Sequence, residues 1–134
     1  LDEPDIRPLQ PAALAAAKKV ALPAFDPSRR IYLARQIPDR LDDLVPGHFR
    51  ILEPPPAAPV IPWNRLDFVL VPGVGFSRDG HRLGRGKGHY DRFLALVPGW
   101  KCGVAFDEQL VDTLPFEPHD IRLDCILTPS SRLP

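Results

Sequence analysis

The chain has 134 residues, a length that predicts one domain, and its 17 basic and 17 acidic residues cancel to a net charge of zero. This balance argues against nucleic-acid-binding and membrane-surface proteins, which usually carry a basic surplus. No apolar stretch reaches the length of a membrane span, and no secretory signal peptide is visible. We therefore expect a cytoplasmic monomer that has neither nucleic acid nor a membrane among its partners.

The first half of the chain is predicted to contain one helix and two short buried strands. Alanine and leucine dominate residues 8–19, and a proline stands near the start, where a helix tolerates it. Two apolar stretches at residues 20–23 and 31–34, separated by an Asp26-Pro27-Ser28 turn, predict the strands. The segment from residue 37 to residue 65 is predicted to be mainly connection.

The second half of the chain is predicted to alternate strands with helices. Predicted strands lie at residues 66–71, 101–106 and 125–128, and predicted helices lie at residues 88–96 and 107–114. The first of these helices has an apolar face at Phe93, Leu94 and Val97. The alternation predicts an α/β fold over residues 1–134, a three-layer sandwich with a mostly parallel, Rossmann-like central sheet. Ligands of such sheets bind beyond the carboxyl ends of the strands.

The two cysteines, Cys102 and Cys125, lie in apolar stretches that are predicted to be strands. We expect two buried, reduced thiols, as is typical of a cytoplasmic protein. A disulfide or metal role would need a closer spacing or further ligands.

The most informative segment alternates three glycines with two cations at residues 84–88, downstream of the most apolar predicted strand. Glycine lets backbone amides approach a ligand closely, and successive amides form a concavity that binds anions. The cations, Arg85 and Lys87, suit phosphate oxygens. Asp91, three residues after the last glycine, could hold the Mg²⁺ that accompanies a nucleotide. The segment therefore predicts a phosphate-binding site.

Two common phosphate-binding motifs, the Walker A loop and the dinucleotide motif, do not match this segment. A Walker A loop requires Ser or Thr after the lysine, where this chain has Gly88, and the dinucleotide motif requires a different glycine spacing. A purely structural glycine-rich turn is the alternative interpretation. The cations between the glycines favour phosphate binding, because a structural turn does not need them.

The motifs PGVGF at residues 72–76 and RLGRGKGHYDRF at residues 82–93 closely resemble the signature of the 5-formyltetrahydrofolate cyclo-ligase family. Segments at residues 19–23, 105–109 and 117–124 agree with the family in the expected order, so that the resemblance covers nearly the whole chain. It implies an enzyme that uses ATP and Mg²⁺ to cyclise 5-formyltetrahydrofolate to 5,10-methenyltetrahydrofolate.

The implied chemistry activates a formamide oxygen by phosphorylation, after which the N10 nitrogen attacks the formyl carbon and phosphate leaves. Such a reaction needs positioning and charge neutralisation more than acid–base catalysis. This agrees with a chain that has no evident Ser-His-Asp or Cys-His constellation.

The resemblance also implies roles for particular residues. Arg85 and Lys87 would be catalytic, and Asp91 and Asp124 would bind Mg²⁺. The nucleotide site would contain Arg82, Leu83, Gly84, Arg85, Gly86, Lys87, Gly88, His89 and Tyr90. The folate would contact Glu3, Ile31, His89 and Tyr90.

Several of these residues have simpler interpretations. Asp91 could only complement a helix dipole, Tyr90 and Ile31 could only fill a core, and Glu3 could be an exposed terminal residue. His89 departs from the tyrosine that is usual in the family, which introduces a group that titrates near neutrality.

The start of the chain also differs from the family. The chain contains no Met, and family members carry an N-terminal helical segment with a lysine that contacts the nucleotide. We expect such a segment upstream of Leu1. Residues near Ile6 also differ from the family, and these departures motivate an alternative: a catalytically degenerate member that binds nucleotide or a pterin-like ligand, in a pathway such as thiamine metabolism. Nucleic-acid binding through residues 82–92 is disfavoured by the zero net charge.

Overall fold

The computed structural model describes residues 3–37, 43–47, 51–84 and 88–134, except for the side chain of His89. These residues form two compact units, Asp5–Trp63 and Asn64–Pro134, the second of which includes Glu3 and Pro4. The prediction of one domain over the whole chain stays a prediction. No helix in the described part of the chain is both long and apolar enough to cross a lipid bilayer.

The unit Asp5–Trp63 is built from antiparallel pairs of strands. Helix α1 is Leu9–Ala15, and the strands are β1 (Ala21–Asp26), β2 (Ile31–Gln36), β3 (Val45–Pro46), β4 (Leu52–Glu53) and β5 (Val60–Ile61). The described strands form one sheet in the order β1-β2-β5 and a separate β3-β4 pair. The predicted helix and both predicted strands are confirmed.

A hairpin turn joins β1 to β2 at the predicted position. The carboxylate Oδ1 of Asp26 accepts hydrogen bonds from the Ser28 amide at 2.9 Å and from the Ser28 hydroxyl at 2.7 Å. The hydroxyl holds the pKa of Asp26 below its usual value. An aspartate that binds the backbone two residues ahead is a frequent way to begin a turn, and the predicted turn is confirmed.

The described residues of the unit Asn64–Pro134 form two mixed sheets and one α-helix. Its strands are β6 (Phe68–Val71), β7 (Gly75–Ser77), β8 (Arg82–Leu83), β9 (Trp100–Val104), β10 (Leu110–Val111), β11 (Cys125–Leu127) and β12 (Arg132–Leu133), and helix α2 is His89–Leu94. The larger sheet has the order β12-β11-β9-β6, and the smaller has the order β10-β7-β8. A turn of 3-10 helix spans Trp63–Arg65, and another spans Asp107–Gln109.

Close packing on the larger sheet leaves no space beside Gly103. A Cβ atom there would lie 2.8 Å from a ring carbon of Phe76 and 2.9 Å from a methyl carbon of Leu123. Phe76 and Val71 are completely buried, and Ile126 is almost so. These side chains form the core against which the strands are held.

The predicted α/β class is confirmed, but the sheets are mixed: parallel pairing joins β6, β9 and β11, and also β7 and β10. Three strand pairings among the described residues are parallel, and five are antiparallel. Short connections explain the antiparallel pairs other than β2 with β5, because neighbouring strands joined by a few residues can pair only antiparallel. The sequence pattern reveals a strand but not its partner.

The predicted helix at residues 107–114 is wrong beyond its first turn. After Gln109 the chain extends as β10, which pairs in parallel with β7. A short segment gains little from helix propensity, since starting a helix is costly, and strand pairing therefore prevails.

Candidate functional site

The candidate site is built around the segment that follows the carboxyl end of β6. The loop Pro72–Val74 leads into β7, a turn at residues 77–81, and β8. Three residues of the glycine-rich segment, 85–87, lie outside the described residues. Gly88 precedes α2 with a φ of +67°, a conformation that glycine adopts without strain. The described residues therefore give both flanks of the predicted phosphate-binding segment.

Arg82 is buried between two glycines of the motif. Its side chain is only 9% exposed. A Cβ atom on Gly84 would lie 2.7 Å from the Arg82 Nη1 atom, and one on Gly73 would lie 2.9 Å from its Cγ atom. These two glycines therefore make space for Arg82, a role that the sequence analysis did not anticipate.

The guanidinium of Arg82 connects the loop after β6 to helix α2. Its Nη1 atom donates to the Pro72 carbonyl at 3.3 Å, and its Nη2 atom lies 3.9 Å from the Asp91 carboxylate. Its central carbon lies 5.2 Å from the centre of the Tyr90 ring, within cation–π range. Arg82 thus joins the start of the glycine-rich segment to the residues that follow it.

The two residues of α2 in this cluster are partly accessible. The Asp91 side chain is 29% exposed and lies in the first turn of the helix. Tyr90 is half-buried, and its ring centre is 4.7 Å from that of Phe93. Phe93 and Leu94 are buried, as the predicted apolar face requires. An accessible carboxylate therefore stands beside the glycine-rich segment.

Asp124 has a different setting from Asp91. Its Oδ2 atom accepts the Lys101 amide at 2.8 Å, and its own amide donates to the Lys101 carbonyl at 2.8 Å. These contacts lie at the amino ends of β9 and β11, whereas Arg82 binds Pro72 just after the carboxyl end of β6. This geometry favours a structural role for Asp124, and its metal role stays a prediction. Within the described ranges, no group of three His, Cys, Asp or Glu residues could hold a metal ion.

The remaining predicted site residues lie on separate segments of the chain. Glu3 is exposed and belongs to the unit that contains Asn64–Pro134. Ile31, 41% exposed, begins β2 in the other unit, and Leu83 is 47% exposed on β8. The predicted residues Arg85, Gly86 and Lys87 and the His89 side chain lie outside the described part of the chain.

Gln109 is a residue of this region that the sequence analysis missed. Its Nε2 atom donates to the carbonyls of Gly73 at 3.0 Å and Val74 at 3.1 Å, and its Oε1 atom accepts the Phe106 amide at 2.8 Å. A glutamine at the third position of a helical turn can accept a hydrogen bond from the backbone amide of the residue that precedes the turn. This signal could have identified the contact between Gln109 and the Phe106 amide. The other two contacts span more than thirty residues of sequence and had no local signal.

A serine, an aspartate and a histidine meet in the turn at residues 77–81, but they do not form a nucleophilic site. Ser77 is completely buried, and its hydroxyl donates to Asp79 and accepts the His81 amide at 3.1 Å. The Ser77 hydroxyl holds the pKa of Asp79 below its usual value. The His81 ring stacks on Phe116 with centres 3.9 Å apart. This cluster stabilises the turn, since a substrate cannot reach the buried hydroxyl.

Comparison with known proteins identifies relatives over most of the chain. A family model described as the 5-formyltetrahydrofolate cyclo-ligase family matches residues 2–129. A protein of Escherichia coli named 5-formyltetrahydrofolate cyclo-ligase is 38% identical over 132 residues, which cover 96% of this chain and 72% of the relative. A protein of the same name from Mycolicibacterium smegmatis is 42% identical over 94 residues, covering 64% of this chain and 46% of the relative.

A solved structure has a similar fold. The NMR structure of Aquifex aeolicus 5,10-methenyltetrahydrofolate synthetase matches with a TM-score of 0.83 at 35% identity, covering 97% of this chain and 64% of that chain. The chain thus spans about two thirds of that protein and less than half of the Mycolicibacterium smegmatis relative. Both comparisons indicate a mixed α/β fold shared with these proteins.

Proposed function

The chain belongs to the 5-formyltetrahydrofolate cyclo-ligase family, and from this premise we propose that it catalyses the ATP-dependent cyclisation of 5-formyltetrahydrofolate. The products would be 5,10-methenyltetrahydrofolate, ADP and phosphate. The observation that carries the proposal is the family match over residues 2–129, which includes the whole glycine-rich segment. We propose that the enzyme acts in the cytoplasm as a monomer, without nucleic acid or a membrane as partner.

The nucleotide phosphates would bind to the segment from Leu83 to Tyr90. Backbone amides of the glycines would face the phosphate oxygens, while Arg85 and Lys87 would neutralise the charge that develops during phosphoryl transfer. The buried guanidinium of Arg82 supports a positioning role for that residue. Arg82 would hold the segment in place and need not touch the phosphates.

Residues at the site fit a magnesium ion that is bound together with phosphates. Mg²⁺ usually takes one or two carboxylates and completes its shell with phosphate oxygens and water. Asp91, with its partly exposed carboxylate, would hold the ion, and Asp124 remains the second proposed ligand. When bound, ATP with Mg²⁺ supplies the phosphoryl group that activates the formyl oxygen.

The folate would be oriented by Glu3, Ile31, His89 and Tyr90. A carboxylate such as Glu3 can accept hydrogen bonds from the N–H groups of an aminopyrimidinone ring, and the half-buried Tyr90 offers an aromatic face. We further propose that the parallel strands β6, β9 and β11 are the centre of the predicted three-layer, Rossmann-like arrangement.

The test of the proposal is the methenyl-folate absorbance band. The protein is mixed with 5-formyltetrahydrofolate, ATP and Mg²⁺, and the band should rise only when both ATP and Mg²⁺ are present. Lys87→Ala should reduce turnover by several orders of magnitude, whereas Lys18→Ala, an exposed control that lies beyond the end of α1, should not. If ATP binds but no band appears, the binding-only alternative is supported and the proposed activity is wrong.

A further inference from the structure

We propose that Gln109 is a positioning residue for nucleotide binding, which holds the loop Pro72–Val74 and, through it, the start of the glycine-rich segment. This inference rests on the proposed function for its kinetic readout. We call the two hydrogen bonds from the Gln109 Nε2 atom to the Gly73 and Val74 carbonyls the clamp, and these bonds do not depend on that function.

The loop after β6 is held at each of its three carbonyl groups by a side chain. Arg82 donates to Pro72 at 3.3 Å, and Gln109 donates to Gly73 at 3.0 Å and to Val74 at 3.1 Å. Three consecutive carbonyls that point at side-chain donors define the path of the loop. Gln109 binds two of the three carbonyls.

Gln109 is itself held in place. Its Oε1 atom accepts the Phe106 amide at 2.8 Å, within the 3-10 turn Asp107–Gln109. The next residue, Leu110, begins β10, which pairs with Phe76 on β7. The side-chain amide of Gln109 is thus presented to the loop from a segment that is anchored on both sides.

The clamped loop is joined directly to the strand that carries the phosphate-binding segment. The Val74 amide donates to the Leu83 carbonyl at 2.8 Å, and Gly73 lies against the Arg82 side chain. Leu83 is followed at once by Gly84 and the segment 85–88. A shift of the loop would therefore shift β8 and the residues that we propose to bind the nucleotide phosphates.

The chemistry at this position requires a glutamine. The side chain must accept one hydrogen bond and donate two, and among the side chains of this length only a carboxamide does both. A Gln109→Glu variant would keep the acceptor for the Phe106 amide but could not donate to the loop. That variant therefore separates the contact with the Phe106 amide from the two hydrogen bonds to the loop.

The clamp is tested by hydrogen exchange at the amides of Val74 and residues 82–84. Gln109→Glu and Gln109→Ala should both accelerate this exchange relative to the unmodified protein, whereas Glu108→Ala, an exposed neighbour in the same turn, should not. Wild-type exchange in Gln109→Glu would overturn the proposal, because the Phe106 contact alone would then be sufficient.

The positioning role is tested by steady-state kinetics well below the unfolding temperature. We expect kcat/KM for ATP to fall roughly 10- to 100-fold in both Gln109 variants, mainly through KM for ATP, with KM for the folate unchanged. A purely structural role would lower the unfolding temperature and leave KM for ATP unchanged, which would overturn the inference. If the unmodified protein forms no product, the proposed function fails, and the exchange experiment alone decides whether Gln109 holds the loop.

Discussion

The Nη2 atom of Arg82 lies 3.9 Å from the Oδ1 atom of Asp91, so that a buried arginine connects β8 to the first turn of α2. Arg82→Met keeps the apolar stem but removes the positive charge beside the Asp91 carboxylate and the donor to the Pro72 carbonyl. We expect the free energy of unfolding to fall by about 2–3 kcal/mol, which urea denaturation would measure. The exposed pair of Arg7 and Asp5 provides the control, since Arg7→Met should cause no measurable change.

A double-mutant cycle with Asp91→Asn then isolates the pair itself. Two residues that share a contact should give a coupling energy of about 1 kcal/mol. A coupling of zero would show that Arg82 stabilises the protein only through Pro72 and Tyr90, and that Asp91 is available for other ligands.

Two substitutions of Asp124 distinguish a structural carboxylate from a metal ligand. Asparagine retains an oxygen that can accept the Lys101 amide, whereas alanine does not. If the role is structural, Asp124→Asn should be nearly as stable as the unmodified protein, and Asp124→Ala should lose about 1 kcal/mol. If the role is metal binding, Asp124→Asn should raise the Mg²⁺ concentration required for turnover. A Mg²⁺ titration together with thermal unfolding of both variants decides between these roles.

Cys102 should be unreactive in the folded protein. Burial, reinforced by the neighbouring Cys125 thiol, raises the pKa of Cys102 to about 12, and the side chain has no exposed surface. Because the thiolate is the reactive form, an aromatic disulfide reagent at pH 8 should react with Cys102 only as fast as the protein unfolds. Cys125→Ala should leave Cys102 protected, since burial is the main cause. Fast labelling of the native variant would contradict this account.

Asp107 should make the stability depend on pH in the acidic range. Hydrogen bonds from the hydroxyl groups of Thr128 and Ser130 hold the pKa of Asp107 below its usual value, and the Ser130 contact is 2.8 Å. A carboxyl group whose pKa is lower in the folded state stabilises the protein above its unfolded pKa of about 3.9 and loses that effect as the pH falls through the folded value.

The unfolding temperature of Asp107→Asn should therefore lie below that of the unmodified protein at neutral pH, and the difference should shrink below about pH 4. Asp112→Asn, whose side chain is 93% exposed, is the matched control and should show little difference at any pH. A difference that stays constant down to about pH 2 would contradict the expected titration.

Local sequence signals predicted those parts of the fold that depend on neighbours along the chain. Apolar runs identified the strands at Phe68–Val71, Trp100–Val104 and Cys125–Leu127, and helical spacing identified the buried face of α2. These predictions succeeded because the spacing of apolar residues along the chain indicates which face of a helix or strand is buried. The glycine-rich segment likewise carried the family resemblance, which the comparisons confirmed.

Contacts between distant residues could be decided only by the tertiary structure. From the sequence, Arg82 is one more cation of the predicted phosphate-binding motif, and the structure buries its side chain against Pro72 and Asp91. Gln109 falls in the helix predicted at residues 107–114, and the structure shows that it binds carbonyls more than thirty residues away. The sequence by itself therefore determined the family, because its signature resides in consecutive residues, and the phosphate-binding role of the glycine-rich segment stays a prediction. Strand partners and side-chain contacts depend on strand register and on packing between distant residues. A pattern of neighbouring residues does not specify either of these.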